Sequence, residues 1–133
     1  MDKVVVITGG SRGIGAATAL LAAAQGYRIC INYQADEEAA HRVLEQVRAL
    51  GAQAIAVRAD VSIEDEVIGL FHRVDTELGR VTALVNNAGT VGHKSRVDEM
   101  SEFRILKTLR TNVLGPILCA KHAMLRMSPK HGG

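Results

Sequence analysis

Apolar positions along this chain alternate between unbroken runs and helical spacing, in a regular succession. Val4, Val5, Val6 and Ile7 form a continuous β-branched run, the pattern of a strand buried on both faces. An Ala- and Leu-rich stretch from about Ile14 to Gln25 then predicts a helix, and Gly26 supplies its stop. Arg28 to Asn32, with Ile29, Cys30 and Ile31, reads as a second strand. Between Asp36 and Leu50, the residues Ala39, Ala40, Val43, Val47 and Leu50 recur at helical spacing, and Gly51 closes the element. Ala54 to Val57 is a third strand. Ser62-Ile63-Glu64-Asp65 has the form of a capping box and predicts a helix with Val67, Leu70, Phe71, Val74 and Leu78 on one face, ended by Gly79. Val81 to Val85 is the fourth strand. After a polar loop, Ser101 opens a last long helix bearing Phe103, Leu106, Leu109, Val113, Ile117 and Met124.

Strand and helix in strict alternation imply right-handed crossovers and a parallel sheet with helices on both faces. The expected fold is therefore α/β, a doubly wound three-layer α/β/α sheet. With 133 residues and no repeat, linker or low-complexity tract, residues 1–133 are expected to form one domain.

Composition narrows the function classes. Aromatic residues are 3% of the chain and Trp is absent, which argues against stacking platforms for single-stranded nucleic acid. The net charge of +2 is too small to imply a polyanionic macromolecular partner. The nearest basic patch, Lys121, His122, Arg126, Lys130 and His131, reads as a solvated helix face. The apolar run from Ala16 to Ala24 is too short to cross a bilayer. Gly9, Gly10, Arg12, Gly13 and Gly15 break the N-terminal apolar stretch, so no signal peptide is expected. Cys30 and Cys119 form no Cys-x-x-Cys pair and have no His cluster at metal-ligand spacing, so no metal is expected. Buried thiols in a reducing, cytoplasmic setting are the expectation.

The chemistry is concentrated at the first strand–helix turn, Thr8-Gly9-Gly10-Ser11-Arg12-Gly13-Ile14-Gly15. Glycines there let the chain turn tightly and let a phosphate reach the N–H groups that open the helix. The spacing Gly9-x-x-x-Gly13-x-Gly15 is neither G-x-G-x-x-G nor a P-loop. Three more signatures follow in order: Asp60-Val61 after the third strand, Asn86-Asn87-Ala88-Gly89 after the fourth, and Thr111-Asn112-Val113 within the last helix. Together with Thr-Gly-x-x-x-Gly-x-Gly they resemble the short-chain dehydrogenase/reductase family over nearly the whole chain, with bacterial glucose-dehydrogenase-like and ketoacyl-reductase-like members in view.

The resemblance implies a Rossmann-type sheet in the order 3-2-1-4, with the later strands absent. It implies cofactor contacts from Gly9, Ser11, Arg12, Gly13, Ile14 and Gly15 in the turn. Asp60 and Val61 are implied at the adenine ring, and Asn87, Ala88 and Gly89 on the ribose and nicotinamide side. Asp60 is expected to be free for this, since Ser62 holds the better capping position.

An NAD site places an acid roughly 20 residues beyond the glycine turn to accept from the ribose hydroxyl. Asn32-Tyr33-Gln34 stands there instead, with no carboxylate, and Arg12 can pair with a 2′-phosphate. NADP is thus the expected cofactor, with Asn32 and Arg12 at its adenosine end, Tyr33 placed there too, and NAD the less favoured choice. Asp36 keeps NAD open.

Hydride transfer to a ketone or from an alcohol also needs a proton-transferring group. The family uses a Tyr with a Lys four residues on, and a Ser that holds the substrate oxygen. The only tyrosines, Tyr27 and Tyr33, have no such lysine. The family's Ser, Tyr and Lys are therefore expected beyond Gly133, and the 133 residues alone are expected to be inactive. Asn112 is the surviving catalytic helper: Pro116 has no N–H to return to its carbonyl, and the family's proton relay uses such a freed carbonyl. His93 is expected in an exposed loop, and Cys119 and Met124 in core or interface.

Two functions follow: an NADP-dependent oxidoreductase of a small carbonyl or alcohol substrate, of which this is the N-terminal part, or a catalytically inactive nucleotide-binding or interaction fragment. Neither a nucleic acid nor a membrane is an expected partner, and the parent is expected to be a homo-oligomer, a dimer or tetramer. Val81 to Val85 would be an exposed hydrophobic edge, and a separately made 1–133 polypeptide is expected to be poorly soluble.

Overall fold

The computed structural model describes residues 2–133. Four parallel strands lie side by side: β1 (Val4–Ile7), β2 (Arg28–Tyr33), β3 (Ala54–Arg58) and β4 (Ala83–Val85). Their order is β3-β2-β1-β4, as the resemblance implied. Val6 stands opposite Cys30 on one side and Leu84 on the other, and Cys30 stands opposite Ile55.

Because strand side chains alternate, each strand feeds two cores. Val4, Val6, Cys30, Ile55 and Val57 pack with Val67, Leu70, Phe71 and Val74 of α3 (Glu64–Glu77) and with Cys119 and Ala123 of α5 (Gly115–Met127). Val5, Ile7, Ile29, Ile31 and Ala54 pack with Ala19 and Ala23 of α1 (Gly13–Ala24) and with Val43, Leu44 and Val47 of α2 (Glu37–Ala49). This is the three-layer α/β/α arrangement, and it explains why β1 has no polar position. Each fully buried Val or Ile contributes about 1.5–3 kcal/mol. The small residues Gly15, Ala19 and Ala23 form the buried stripe of α1 and bring its axis close to the sheet. Asp36 opens α2 by accepting from the Ala39 N–H at 3.0 Å.

Three local expectations are corrected. Ser62 does not cap α3: the capping residue is Ile63, with no side-chain bond, and both the N–H and the hydroxyl of Ser62 donate to Asp60 Oδ1 at 2.9 and 2.7 Å. Asp60 precedes Ser62 and is the stronger acceptor, so the hydroxyl turns back to it. The last helix is not continuous. Ser101 does open α4 (Glu102–Leu109), accepting from Arg104 N–H at 3.2 Å, but a π-helical turn spans Arg110–Leu114 before α5 begins. The Gly115 N–H reaches back to the Arg110 carbonyl, and Pro116 lacks the N–H that the Asn112 carbonyl would take in an α-helix. Gly115 is needed there, since a Cβ would stand 2.8 Å from Val61 Cγ2.

The fourth strand is also shorter than expected. Val81 is fully buried, Thr82 is tied to the Val4 backbone by three hydrogen bonds, and only Ala83–Val85, all half-buried, pair with β1. β4 is still an edge strand, paired on one side only and less buried than β1, and further exposed apolar side chains stand on the helices, at Phe103, Leu109, Ile117 and Met124. Met124 is thus at the surface, whereas Cys119 is core.

The basic C-terminal residues are largely paired and not a free solvated face. Glu64 Oε2 accepts from Lys121 Nζ at 2.7 Å and lies 3.0 Å from His122 Nε2, while Asp75 takes Arg126 through Nε at 2.9 Å and Nη2 at 2.8 Å. These pairs fasten α5 to α3. The Lys121 hydrogen bond, then that of His122, holds the Glu64 carboxyl below its ordinary value of 4.5. A carboxyl depressed on folding contributes stability above that ordinary value and loses it as pH falls through the folded value. Glu64→Gln is therefore expected to lower Tm at about pH 6.5 and to have little effect at about pH 3. An equal deficit at both pH values in thermal melts would exclude the charge as the cause.

Candidate functional site

β2 lies on one side of β1 and β4 on the other, so the chain diverges at the β1–β4 boundary and a crevice opens beyond the carboxyl ends of these strands. The strand exits are held together by Thr8, which is buried. Its hydroxyl accepts from the N–H groups of Asn87 and Ala88, each at 3.0 Å, and donates to the Val85 carbonyl at 3.3 Å. Asn87 returns the tie, donating from Nδ2 to the Gly9 carbonyl at 2.9 Å. The glycine turn is therefore built against the loop after β4, and the two motifs form one structure.

Glycine is required at two points of that structure. Gly9 has φ +60°, and a Cβ on it would stand 2.9 Å from the Cα of Ala88. Gly15 is buried, and a Cβ there would collide with the Gly9 carbonyl oxygen and the Asn87 amide. Asn32 completes the turn from β2. Its Oδ1 accepts from Gly9 N–H at 3.3 Å, its carbonyl accepts from Gly10 N–H at 2.9 Å, and its Nδ2 donates to the Ala59 and Val57 carbonyls at 3.1 and 3.3 Å.

A cleft of about 980 Å³ lies over these exits. Of the residues expected at a cofactor, Gly9, Ser11, Arg12, Asn32, Asp60, Val61, Asn87, Ala88 and Gly89 line it. Gly13, Ile14 and Gly15 do not line the cleft but form the first turn of α1, which begins at Arg12 with no capping side chain and no acidic residue. Uncapped N–H groups and the positive end of the helix dipole suit a phosphate. Asn112 lies outside the lining. Its amide is engaged with the backbone of Thr90 in both directions, Oδ1 accepting at 2.7 Å and Nδ2 donating at 2.6 Å.

Asp60 is not free, contrary to expectation. Oδ1 holds Ser62 and Oδ2 accepts from Gln34 Nε2 at 3.2 Å, so the carboxylate ties the end of β3 to the end of β2. Tyr33 is buried and points away from the cleft, lining a separate groove with His41 and His72. His93 is exposed, as expected of a loop residue.

The fold also brings to the cleft several residues for which no cofactor role was expected from the sequence. Gln34 and Ser62 line it through their contacts with Asp60, and Thr90 lines it beside Gly89. Lys107, Arg110, Thr111 and Leu114 line it from α4 and the π turn. Their spacing of three, one and three residues marks one helix face and was the available signal. Among the described residues no group of His, Cys, Asp and Glu could hold a metal ion, and no helix is long and apolar enough to cross a membrane.

The family model for short chain dehydrogenases matches residues 3–133, and the chain belongs to that family. It is 42% identical over 130 residues to the uncharacterized oxidoreductase YgfF of Escherichia coli (strain K12), covering 98% of this chain and 53% of that protein. It is 34% identical over 133 residues to the 3-oxoacyl-[acyl-carrier-protein] reductase FabG of Staphylococcus aureus (strain Mu50 / ATCC 700699), covering 100% of this chain and 54% of the reductase. Among solved structures, a short chain dehydrogenase from Burkholderia cenocepacia J2315 in complex with NADP superposes with a TM-score of 0.89 at 37% identity, over 94% of this chain and 51% of that one. The chain thus spans about half the length of the relatives it matches.

Thr8 supplies the sharpest test of how the site is built. Thr8→Val keeps the shape but removes the acceptor for two N–H groups, at a cost of about 2–4 kcal/mol. A Tm lower by roughly 10 °C is expected, with Thr8→Ser close to the native value. An unchanged melt of Thr8→Val would mean that the hydroxyl does not hold the two loops.

Proposed function

We propose that this chain is the cofactor-binding part of an oxidoreductase that transfers hydride between a nicotinamide and a ketone or alcohol, with NADP preferred over NAD. The observation that carries the preference is the pairing of an exposed Arg12 at the uncapped start of α1 with a β2 exit that bears no free carboxylate. Arg12 takes part in no ion pair among the described residues and can meet a 2′-phosphate with a charge-assisted bond. Asp36, the acid that could have served the ribose hydroxyl of NAD, spends Oδ1 on the Ala39 N–H and does not line the cleft. The NADP complex of the Burkholderia relative supports the same choice.

The residues present fit the cofactor. Gly9 and Gly15 let the turn close against the loop after β4 and leave the N–H groups at the uncapped start of α1 open to a pyrophosphate, and Asp60 and Val61, which line the same cleft, serve the adenine. Asn87, Ala88 and Gly89 border the side toward β4, where the nicotinamide ribose would rest. When bound, the cofactor supplies the hydride. Asn112 serves by its carbonyl, which Pro116 leaves without an α-helical donor, as a point to hold water in a proton relay. Its side chain meanwhile fixes Thr90 beside the cleft.

The proton-transferring Tyr and Lys of the family are not among these residues, since Tyr27 and Tyr33 both lie off the cleft. The 133 residues by themselves bind nucleotide and do not turn over substrate. The parent acts in the cytoplasm as a homo-oligomer on a small carbonyl or alcohol compound. The two buried thiols, Cys30 pushed up to about 12 and Cys119 to about 11 by burial, suit a reducing compartment.

Arg12→Ala is expected to weaken NADP binding by about 10- to 100-fold and NAD binding by no more than about twofold, measured by calorimetric titration of each nucleotide. Equal losses for both would remove the 2′-phosphate from the role of Arg12.

A further inference from the structure

The wall of the cleft formed by α4 and the π turn has no role in the reading above. Lys107 and Arg110 line the cleft there, together with Thr111 and Leu114. Both cations are exposed, and neither donates a side-chain hydrogen bond or enters an ion pair among the described residues. Many other cations of this chain are engaged: Arg28, Arg48 and Arg58 hold backbone carbonyls, and Arg73 and Arg126 hold carboxylates. Lys107 and Arg110 are thus free cations on a concave surface.

The charge balance of the cleft is one-sided. Arg12, Lys107 and Arg110 line it against a single carboxylate, Asp60, which is already spent on Ser62 and Gln34. A cleft walled by one sign of charge concentrates field and draws in ligands of the opposite sign. Its volume of about 980 Å³ is at the upper end for small-molecule sites, enough for a dinucleotide. Arg12 and the Lys107–Arg110 wall line the same cleft, so a nucleotide whose phosphates sit at the start of α1 lies within the field of both.

We propose that Lys107 and Arg110 form a second cationic wall that selects the more highly phosphorylated dinucleotide, acting through the field across the cleft and not through a direct bond. The inference rests on the NADP reading above and adds to it two specificity-determining residues. An additional phosphate monoester brings a charge of about −1.5 to −2 at neutral pH. At a separation of about 10 Å in a water-like medium, each pair of unit charges changes an equilibrium about twofold, and salt screens the effect. Two cations acting on the additional phosphate therefore favour NADP over NAD several-fold at low salt.

The test is calorimetric titration of NADP and NAD into the native chain and into the double variant Lys107→Gln/Arg110→Gln, at about 50 mM and about 500 mM salt. At low salt the double variant is expected to bind NADP about tenfold more weakly and NAD about threefold more weakly, and at high salt both losses shrink to about twofold or less. An unchanged affinity for NADP, an equal loss for both nucleotides, or a loss that salt does not reduce would each overturn the proposal. Both side chains are exposed, so an unchanged melting curve is the control, and Lys107→Gln alone, at about half the logarithmic effect, replaces the double variant if that melts early. Selective loss in Arg12→Ala with none in the double variant overturns the second wall and leaves the NADP reading standing. No binding of either nucleotide to the native chain overturns both.

Discussion

The Thr8 hydroxyl joins the two strand exits between which the cleft opens, and most of the site depends on that junction. A hydroxyl can accept twice and donate once, and Thr8 uses all three capacities on backbone groups of residues 85 to 88. Once those groups are fixed, the Asn87 amide reaches the Gly9 carbonyl, and the space left at Gly15 is too small for any side chain. The start of α1 is thereby set at a defined distance from the loop after β4. A buried network of this kind is stable only when complete, and no buried side-chain nitrogen or oxygen among the described residues lacks a partner.

The same economy explains why several polar residues at the cleft are builders. Asn32 serves the turn from beneath and Asp60 ties β3 to β2, so neither is an unspent recognition group. Asn112 fastens Thr90. What remains uncommitted around the cleft is almost entirely positive: the helix start at Gly13 to Gly15, Arg12, and the α4 wall. A site that spends its acceptors on itself and leaves its donors and cations open is suited to a ligand rich in phosphate.

The π turn is the second constraint. One missing N–H at Pro116 and one missing Cβ at Gly115 let the chain widen, change direction and settle on Val61. The break lets the first half face the cleft while the second half packs into the core and is clasped to α3 by Glu64 and Asp75.

Much of this was legible along the chain. The β-branched run of β1, the helical spacing in α2 and α3, and the glycine turn declare the layers, because alternate burial on two sheet faces leaves a periodic record. The sequence by itself determined the alternation of elements, the parallel sheet, the place of the turn and the oddity at Pro116, since each arises from local sterics or from hydrophobic period. Only the tertiary structure decided which polar groups are spent. Ser62 turning to Asp60 and not to α3, Asn112 holding Thr90, Tyr33 facing another groove, and Lys107 and Arg110 meeting the cleft all depend on contacts between residues distant in sequence. A hydrogen bond is satisfied by whichever partner the fold brings near, and no periodicity records that choice.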